Sequence, residues 1–340
     1  MGNSAWGSPT LHRAHRTVTV FSIAAVLALS VAGCSSTNMF NTHGASAHDI
    51  AVLTYEMFAI LSVVLITVWS LLAYVIIRFR RRSKSEASRT RGNTTIEVVW
   101  FAIPAVIVAI LFALTMITTG QLRGGPDTVN LTVTGHQWWW QVKYTGANFE
   151  TANEIHLPAD TDVTADLESA DVIHQFSCPE IGGKVQMIPG TTNHITFLPI
   201  EPGTYLGVCA QFCGVQHTHM HFLVIVQPPA QFAAWLANQM KLAVQPTGAQ
   251  AIAGEAAMAR LPCASCHTIR GTSLAGTFGP DLTHLASRTS IAAVTLTNTP
   301  ANLLRWITNP QAIKPGCRMP ILALTPQIHA EIVAYLDELK

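Results

Sequence analysis

The sequence predicts three structural parts: a two-helix transmembrane hairpin, an all-β sandwich, and an all-α domain at the C-terminal end. Only 11% of the 340 residues are charged and 49% are hydrophobic, less than half the usual charge of a globular chain. Two runs without a charged residue, Met57 to Ile77 and Val98 to Ile117, each have about the 20 residues a bilayer span requires. Beyond them lie short runs of β-type residues separated by Gly/Pro turns, then a segment that closes with apolar residues at helical spacing.

Residues 1–33 read as an export signal. Arg13 and Arg16 precede an apolar run, Val18 to Ala32, that is short for a span. The run ends in Val31-Ala32-Gly33-Cys34, small residues before a Cys that resemble a bacterial lipoprotein box, with Cys34 as the lipidated mature N-terminus. An uncleaved transmembrane helix is the alternative.

Residues 34–120 hold the hairpin. Between its spans lie Arg78-Phe79-Arg80-Arg81-Arg82-Ser83-Lys84, then Arg89 and Arg91, against one acid, Glu86. A short loop this basic belongs on the cytoplasmic side, which puts everything after residue 120 on the periplasmic face or its Gram-positive equivalent. A buried soluble hairpin is the competing reading, and the basic loop argues against it.

Residues 121–228 read as strands: Val129 to Thr134, Trp138 to Tyr144, Asp162 to Leu167, His194 to Leu198, Thr204 to Cys209 and His221 to Val226. Turns such as Ile188-Pro189-Gly190 and Glu201-Pro202-Gly203 separate some of them, the spacing of a sandwich. The three Trp of Gly135-His136-Gln137-Trp138-Trp139-Trp140 cannot all face one core, because neighbours in a strand point to opposite faces.

The loop before the last of these strands runs Cys209-x-x-x-Cys213-x-x-x-His217-x-x-Met220. Two thiols, an imidazole and a thioether select copper over magnesium or calcium. A mononuclear copper site needs only one Cys; two can bridge a pair of copper ions that share one electron. Zinc would take four Cys or His ligands and has no use for Met220, and a disulfide would leave His217 and Met220 unexplained. A second imidazole is required, and His174, one loop upstream, is the best candidate.

Residues 229–250 contain a short amphipathic stretch and then a linker, read as a flexible tether. Residues 251–340 follow. Cys263-Ala264-Ser265-Cys266-His267 is the signature of covalent haem c, with a redox or zinc pair as the alternative. Gln327 to Leu339 should be the closing helix. Residues 121–228 carry three basic against ten acidic residues and residues 251–340 seven against five, so the two parts attract modestly. Of the seven cysteines, Cys178 and Cys317 have no assigned use; a disulfide between them would cross domains, and free thiols are the default.

These residues together resemble subunit II of haem–copper cytochrome c oxidases in the caa-type form, with a fused C-terminal cytochrome c domain. The resemblance implies a cupredoxin sandwich and an all-α class I cytochrome c domain. It implies a dinuclear copper site, CuA, held by His174, Cys209, Cys213, His217, Met220 and the backbone carbonyl of Gln211. In the haem domain it implies thioethers at Cys263 and Cys266, axial His267 and Met319, the latter in Lys314-Pro315-Gly316-Cys317-Arg318-Met319, and a Pro280 carbonyl that orients His267. By the same resemblance Trp138 is the aromatic through which electrons enter the copper site, although a large core or interface residue is the plainer reading. Glu97, beside Trp100 and Pro104, lies where the family begins a proton path into subunit I.

The implied function is to pass electrons from haem c through CuA to haem a of subunit I, where oxygen is reduced to water and protons are translocated. The implied partners are subunit I, with haem a and copper B, and subunit III, in the bacterial inner membrane. A soluble cytochrome c could also deliver electrons. A copper chaperone and a thiol reductant are expected during assembly, and no nucleic acid. Two departures weaken the case for the family's magnesium ion: Gln211 and Gln186 stand where carboxylates are usual. Alternative readings are a CuA-type nitrogen-oxide reductase subunit, a membrane-anchored cytochrome c, or a structural subunit with degenerate metal sites.

Overall fold

The computed structural model describes residues 38–80, 92–122, 129–147 and 149–340. The export signal, Cys34 and residues 81–91 of the basic loop lie outside them.

Helices α1 (Ala45–Arg78) and α2 (Thr94–Gln121) are both long and apolar enough to cross a membrane, and both extend beyond the runs read from sequence. Asn93 caps α2 by accepting from the backbone N–H of Thr95 and Ile96, and Glu97 sits exposed in the first turn. The start of α1 is fastened to the sandwich. Ala45 N–H donates to the Leu198 carbonyl, His43 Nδ1 meets Glu201 at 2.7 Å, and Ala47 and Ala51 are buried.

Among the described residues the sandwich has ten strands: β1 (Val129–His136), β2 (Trp139–Tyr144), β3 (Glu150–Ala152), β4 (Glu154–Pro158), β5 (Val163–Ser169), β6 (His174–Ser177), β7 (Lys184–Met187), β8 (Asn193–Phe197), β9 (Gly203–Cys209) and β10 (His221–Gln227). They form two five-stranded sheets, β3-β2-β1-β5-β8 and β4-β10-β9-β6-β7. In β1 and β10 alternate residues are buried, the pattern of strands with one face on the core. Trp140, Phe176 and Phe222 are fully buried at the centre, with Trp140 edge-on to both phenyl rings.

Residues 229–250 begin with the amphipathic stretch read from sequence, and the linker after it is held by hydrogen bonds. Pro229–Gln239 form α3, which lays Phe232 and Trp235 on the sandwich, Trp235 stacking 4.0 Å from His156. The segment after it is tied to the C-terminal domain. Arg270 donates to the Gln239 carbonyl, Ala243 N–H to the Arg270 carbonyl, and Thr247 N–H to Glu338.

The C-terminal domain contains α4 (Ala249–Arg260), the single turn α5 (Cys263–Cys266), a ribbon of β11 (Ser290–Ile291) and β12 (Leu296–Thr297), α6 (Pro300–Thr308), α7 (Pro310–Ile313) and α8 (Pro326–Glu338). Three helices start the same way. Thr299, Asn309 and Thr325 cap α6, α7 and α8 through their side chains, each followed by a Pro whose missing N–H costs nothing there. Helices α4 and α8 cross at Gly254, where a Cβ would stand 2.0 Å from the Glu331 carbonyl oxygen.

Candidate metal centres

Strand order builds the first centre. β9 ends at Cys209 and β10 begins at His221, so the loop between these paired strands folds back on itself through a short turn at His217–His219. β6 lies on the other side of β9, with Phe176 opposite Cys209, and this pairing brings in His174. The donor atoms meet pairwise. Cys209 Sγ lies 3.8 Å from Cys213 Sγ, 3.9 Å from His174 Nδ1 and 3.2 Å from the Gln211 carbonyl oxygen. Cys213 Sγ lies 3.7 Å from both His217 Nδ1 and Met220 Sδ.

All of these side chains except the half-buried His217 and Gln211 are buried, so the site excludes most water. His174 Nε2 is 2.8 Å from the Asp171 carboxylate, which fixes the ring and turns Nδ1 to the sulfurs. Gly135 leaves room for it: a Cβ there would lie 2.9 Å from His174 Cδ2. Of the two thiols, Cys209 ionises first. Its contact with Cys213 holds it well down against the opposing effect of burial, and the same contact pushes Cys213 up. A thiolate pair, two Nδ1 atoms, a thioether and a carbonyl form a donor set that suits copper and that zinc would not need. Gln186, exposed on β7, and half-buried Gln211 bring no carboxylate.

Asp171 is an outer partner to which the sequence reading gave no role. Its spacing, three residues before His174, was the available signal. Asp171→Ala should weaken copper binding about 10–100-fold, the usual cost of losing such a partner, with haem absorption unchanged. Competition titration with a copper chelator measures this, and unaltered affinity would show that the carboxylate does not hold the ring.

The second centre is a deep cleft in the C-terminal domain, lined by Cys263, Cys266, His267 and Met319 and walled by apolar residues such as Leu303 and Ile332. His267 Nδ1 donates to the Pro280 carbonyl at 2.8 Å; a carbonyl only accepts, so the lone pair is on Nε2. Burial keeps this imidazole below its usual pKa and therefore neutral. The ring packs on Gly279, where a Cβ would come within 2.7 Å of its Cε1. Gln311 braces the loop ahead of Met319 by donating to the carbonyls of Cys317 and Met319. A neutral imidazole, a thioether and two thiols at the edge of an apolar cleft fit covalent haem c. Cys317 also lines the cleft as a free thiol, and burial pushes the free Cys178 thiol up to about 12.

The two centres adjoin. The half-buried Trp138 lines the cleft, and its Nε1 donates to the Cys213 carbonyl at 3.0 Å. Trp140 fills the sandwich core and Trp139 stacks on His136 at 4.4 Å, so each of the three Trp has its own setting. Contacts across the junction were not foreseen from sequence. Buried Glu154 accepts from the backbone and hydroxyls of Thr289 and Ser290, and Arg318 donates to Gln137 Oε1 at 2.6 Å. Gln216 donates to the Pro315 carbonyl. Lys314 is buried, and its Nζ donates to the carbonyls of Trp138, His219 and Ala292. Glu97, on α2, belongs to neither centre.

Residues 34–117 match the family described as Cytochrome C oxidase subunit II, transmembrane domain. Residues 146–227 match its periplasmic domain, and residues 251–340 match Cytochrome c. The cytochrome c oxidase subunit 2 of Alkalihalophilus pseudofirmus is 31% identical over 303 residues, covering 86% of this chain and 87% of that protein. The chain belongs to the cytochrome c oxidase subunit 2 family. The subunit 2 of Bacillus subtilis is 28% identical over 72% of this chain and 75% of its own length. The crystallised periplasmic domain of subunit II of the Bradyrhizobium japonicum oxidase is 27% identical, covering 34% of this chain and 95% of its own, with a TM-score of 0.33. The protein is thus a membrane-anchored, copper-binding subunit of a haem–copper oxidase, with a cytochrome c domain fused behind its periplasmic domain.

Proposed function

We propose that this subunit moves electrons from its own haem c, by way of the Trp138 turn, into a dinuclear CuA site and on to haem a of subunit I. His174, Cys209, Cys213, His217, Met220 and the Gln211 carbonyl would hold the copper pair. Cys263 and Cys266 would bond the porphyrin, and His267 and Met319 would bind its iron. When bound, these groups supply one-electron carriers. The observation that carries the reading is the double position of Trp138, at once a wall of the haem cleft and a hydrogen-bond donor to the backbone of Cys213.

The protein's own part is placement. Strands β6 and β9 hold the copper donors in a nearly dry pocket, so few solvent dipoles must rearrange when charge arrives. Gly214, at φ +119°, keeps its backbone close under the Trp138 ring, where a Cβ would stand 2.9 Å from Cζ2. Because Trp138 faces the chain's own cleft, a soluble cytochrome would deliver to haem c rather than to the copper domain. Glu97, at the mouth of α2, would start the proton path into subunit I, and subunit III and a copper chaperone are further proposed partners.

Trp138→Phe keeps an aromatic ring but removes the bond to Cys213. It should slow haem-to-copper transfer about fivefold, the factor that corresponds to one hydrogen bond of roughly 1 kcal/mol. Flash-induced oxidation of haem c in the assembled oxidase measures it, and an unchanged rate would contradict the Trp138 route.

A further inference from the structure

A buried lysine sits between the two centres without a carboxylate among its hydrogen-bond partners in the described residues. Lys314 is 3% exposed and opens the loop that ends at Met319. An ammonium has three N–H donors and no acceptor. Here the donors find three carbonyls, on Trp138 at 3.2 Å, His219 at 2.9 Å and Ala292 at 3.2 Å. The partners come from three separate segments. Trp138 is on the turn beside Cys213, and His219 lies between His217 and Met220 in the copper loop. Ala292 begins a run of three left-handed residues, Ala292 to Val294, and lines the haem cleft.

Burying an ammonium is costly unless its hydrogen bonds are met. Burial pushes this one down to about 8, still cationic at neutral pH. A position that only filled space would be served better by an apolar side chain. A cation whose donors are matched by carbonyls of three loops instead ties those loops to one geometry.

We propose that Lys314 is a positioning residue that latches the Met319 loop of the haem domain to the Trp138 turn and the copper loop, holding the cytochrome domain in one docked orientation. The role of the latch in electron transfer rests on the Trp138 reading above; the latch itself does not.

The test is Lys314→Met in the assembled, cofactor-loaded oxidase, with Lys314→Gln carrying the same test should the Met variant fail to fold. Hydrogen–deuterium exchange is followed in peptides covering the Trp138 turn and the Ala292 turn, alongside haem absorption, the copper resonance signal and flash-induced haem-to-copper transfer. Exchange should rise at least tenfold at both turns, and transfer should slow at least tenfold, while both spectra stay as in the unmodified protein. Unchanged exchange at both turns overturns the latch whatever the transfer rate. Faster exchange with an unchanged transfer rate supports the latch and overturns the Trp138 route.

Discussion

Cys209→Ala should stop electrons from leaving haem c. The Cys209 sulfur is the common neighbour of Cys213, His174 and the Gln211 carbonyl, at 3.8, 3.9 and 3.2 Å, and no other side chain in the loop can replace it. The remaining donors could hold at most one ion in an incomplete shell. The loss should therefore exceed the roughly 10–100-fold effect of removing an outer partner. Stopped-flow reduction of haem c should proceed at the normal rate, followed by almost no reoxidation under oxygen. A variant that reoxidises haem c at full speed would revive the reading of a structural subunit with a disused copper site.

Trp140→Ala should be the most damaging change to the sandwich, costing about 3–5 kcal/mol, the range for truncating a large buried aromatic. That is a large share of the roughly 5–15 kcal/mol by which a domain is stable. Trp140 is fully buried, with ring centroids 5.0 Å from Phe222 and 6.2 Å from Phe176 and from His174. Its indole Nε1 has no hydrogen-bond partner among the described residues, so the loss is one of packing. Trp140→Phe should therefore be much milder. Urea denaturation followed by tryptophan fluorescence distinguishes the two, with the haem absorption band reporting separately on the C-terminal domain. Equal midpoints for the Ala variant and the unmodified protein would remove Trp140 from the core account.

The copper loop was legible in the sequence because its donors crowd one segment between two short runs of β-type residues, Thr204 to Cys209 and His221 to Val226. His174 is far in sequence, yet a single strand pairing, β6 against β9, suffices to deliver it. Strands β3, β4, β6 and β7 were not foreseen because they are short or break the alternation. β4, Glu154 to Pro158, is buried throughout, including a glutamate and a histidine. Glu154 is satisfied across the junction by Thr289 and Ser290, whereas His156 is satisfied on its own side, by Gln227 of the neighbouring strand β10 and by the Trp235 ring of α3. Such partners are more than a hundred positions away for Glu154, and no local pattern points to them. Lys314 was read only as part of an axial loop, because a buried cation bound by backbone carbonyls leaves no trace in side-chain composition. The contacts of the linker are illegible for the same reason: a polar, Gly/Pro-containing stretch looks free until its partners, Arg270 and Glu338, are placed beside it.

The most direct test of the central claim is electron paramagnetic resonance on the copper-loaded protein with haem attached. Hyperfine splitting from two equivalent copper nuclei sharing one electron is the expected result, and it should vanish in Cys209→Ala. Splitting from a single copper nucleus, or no copper signal, would contradict the account and leave a membrane-anchored cytochrome c as the better description of the chain.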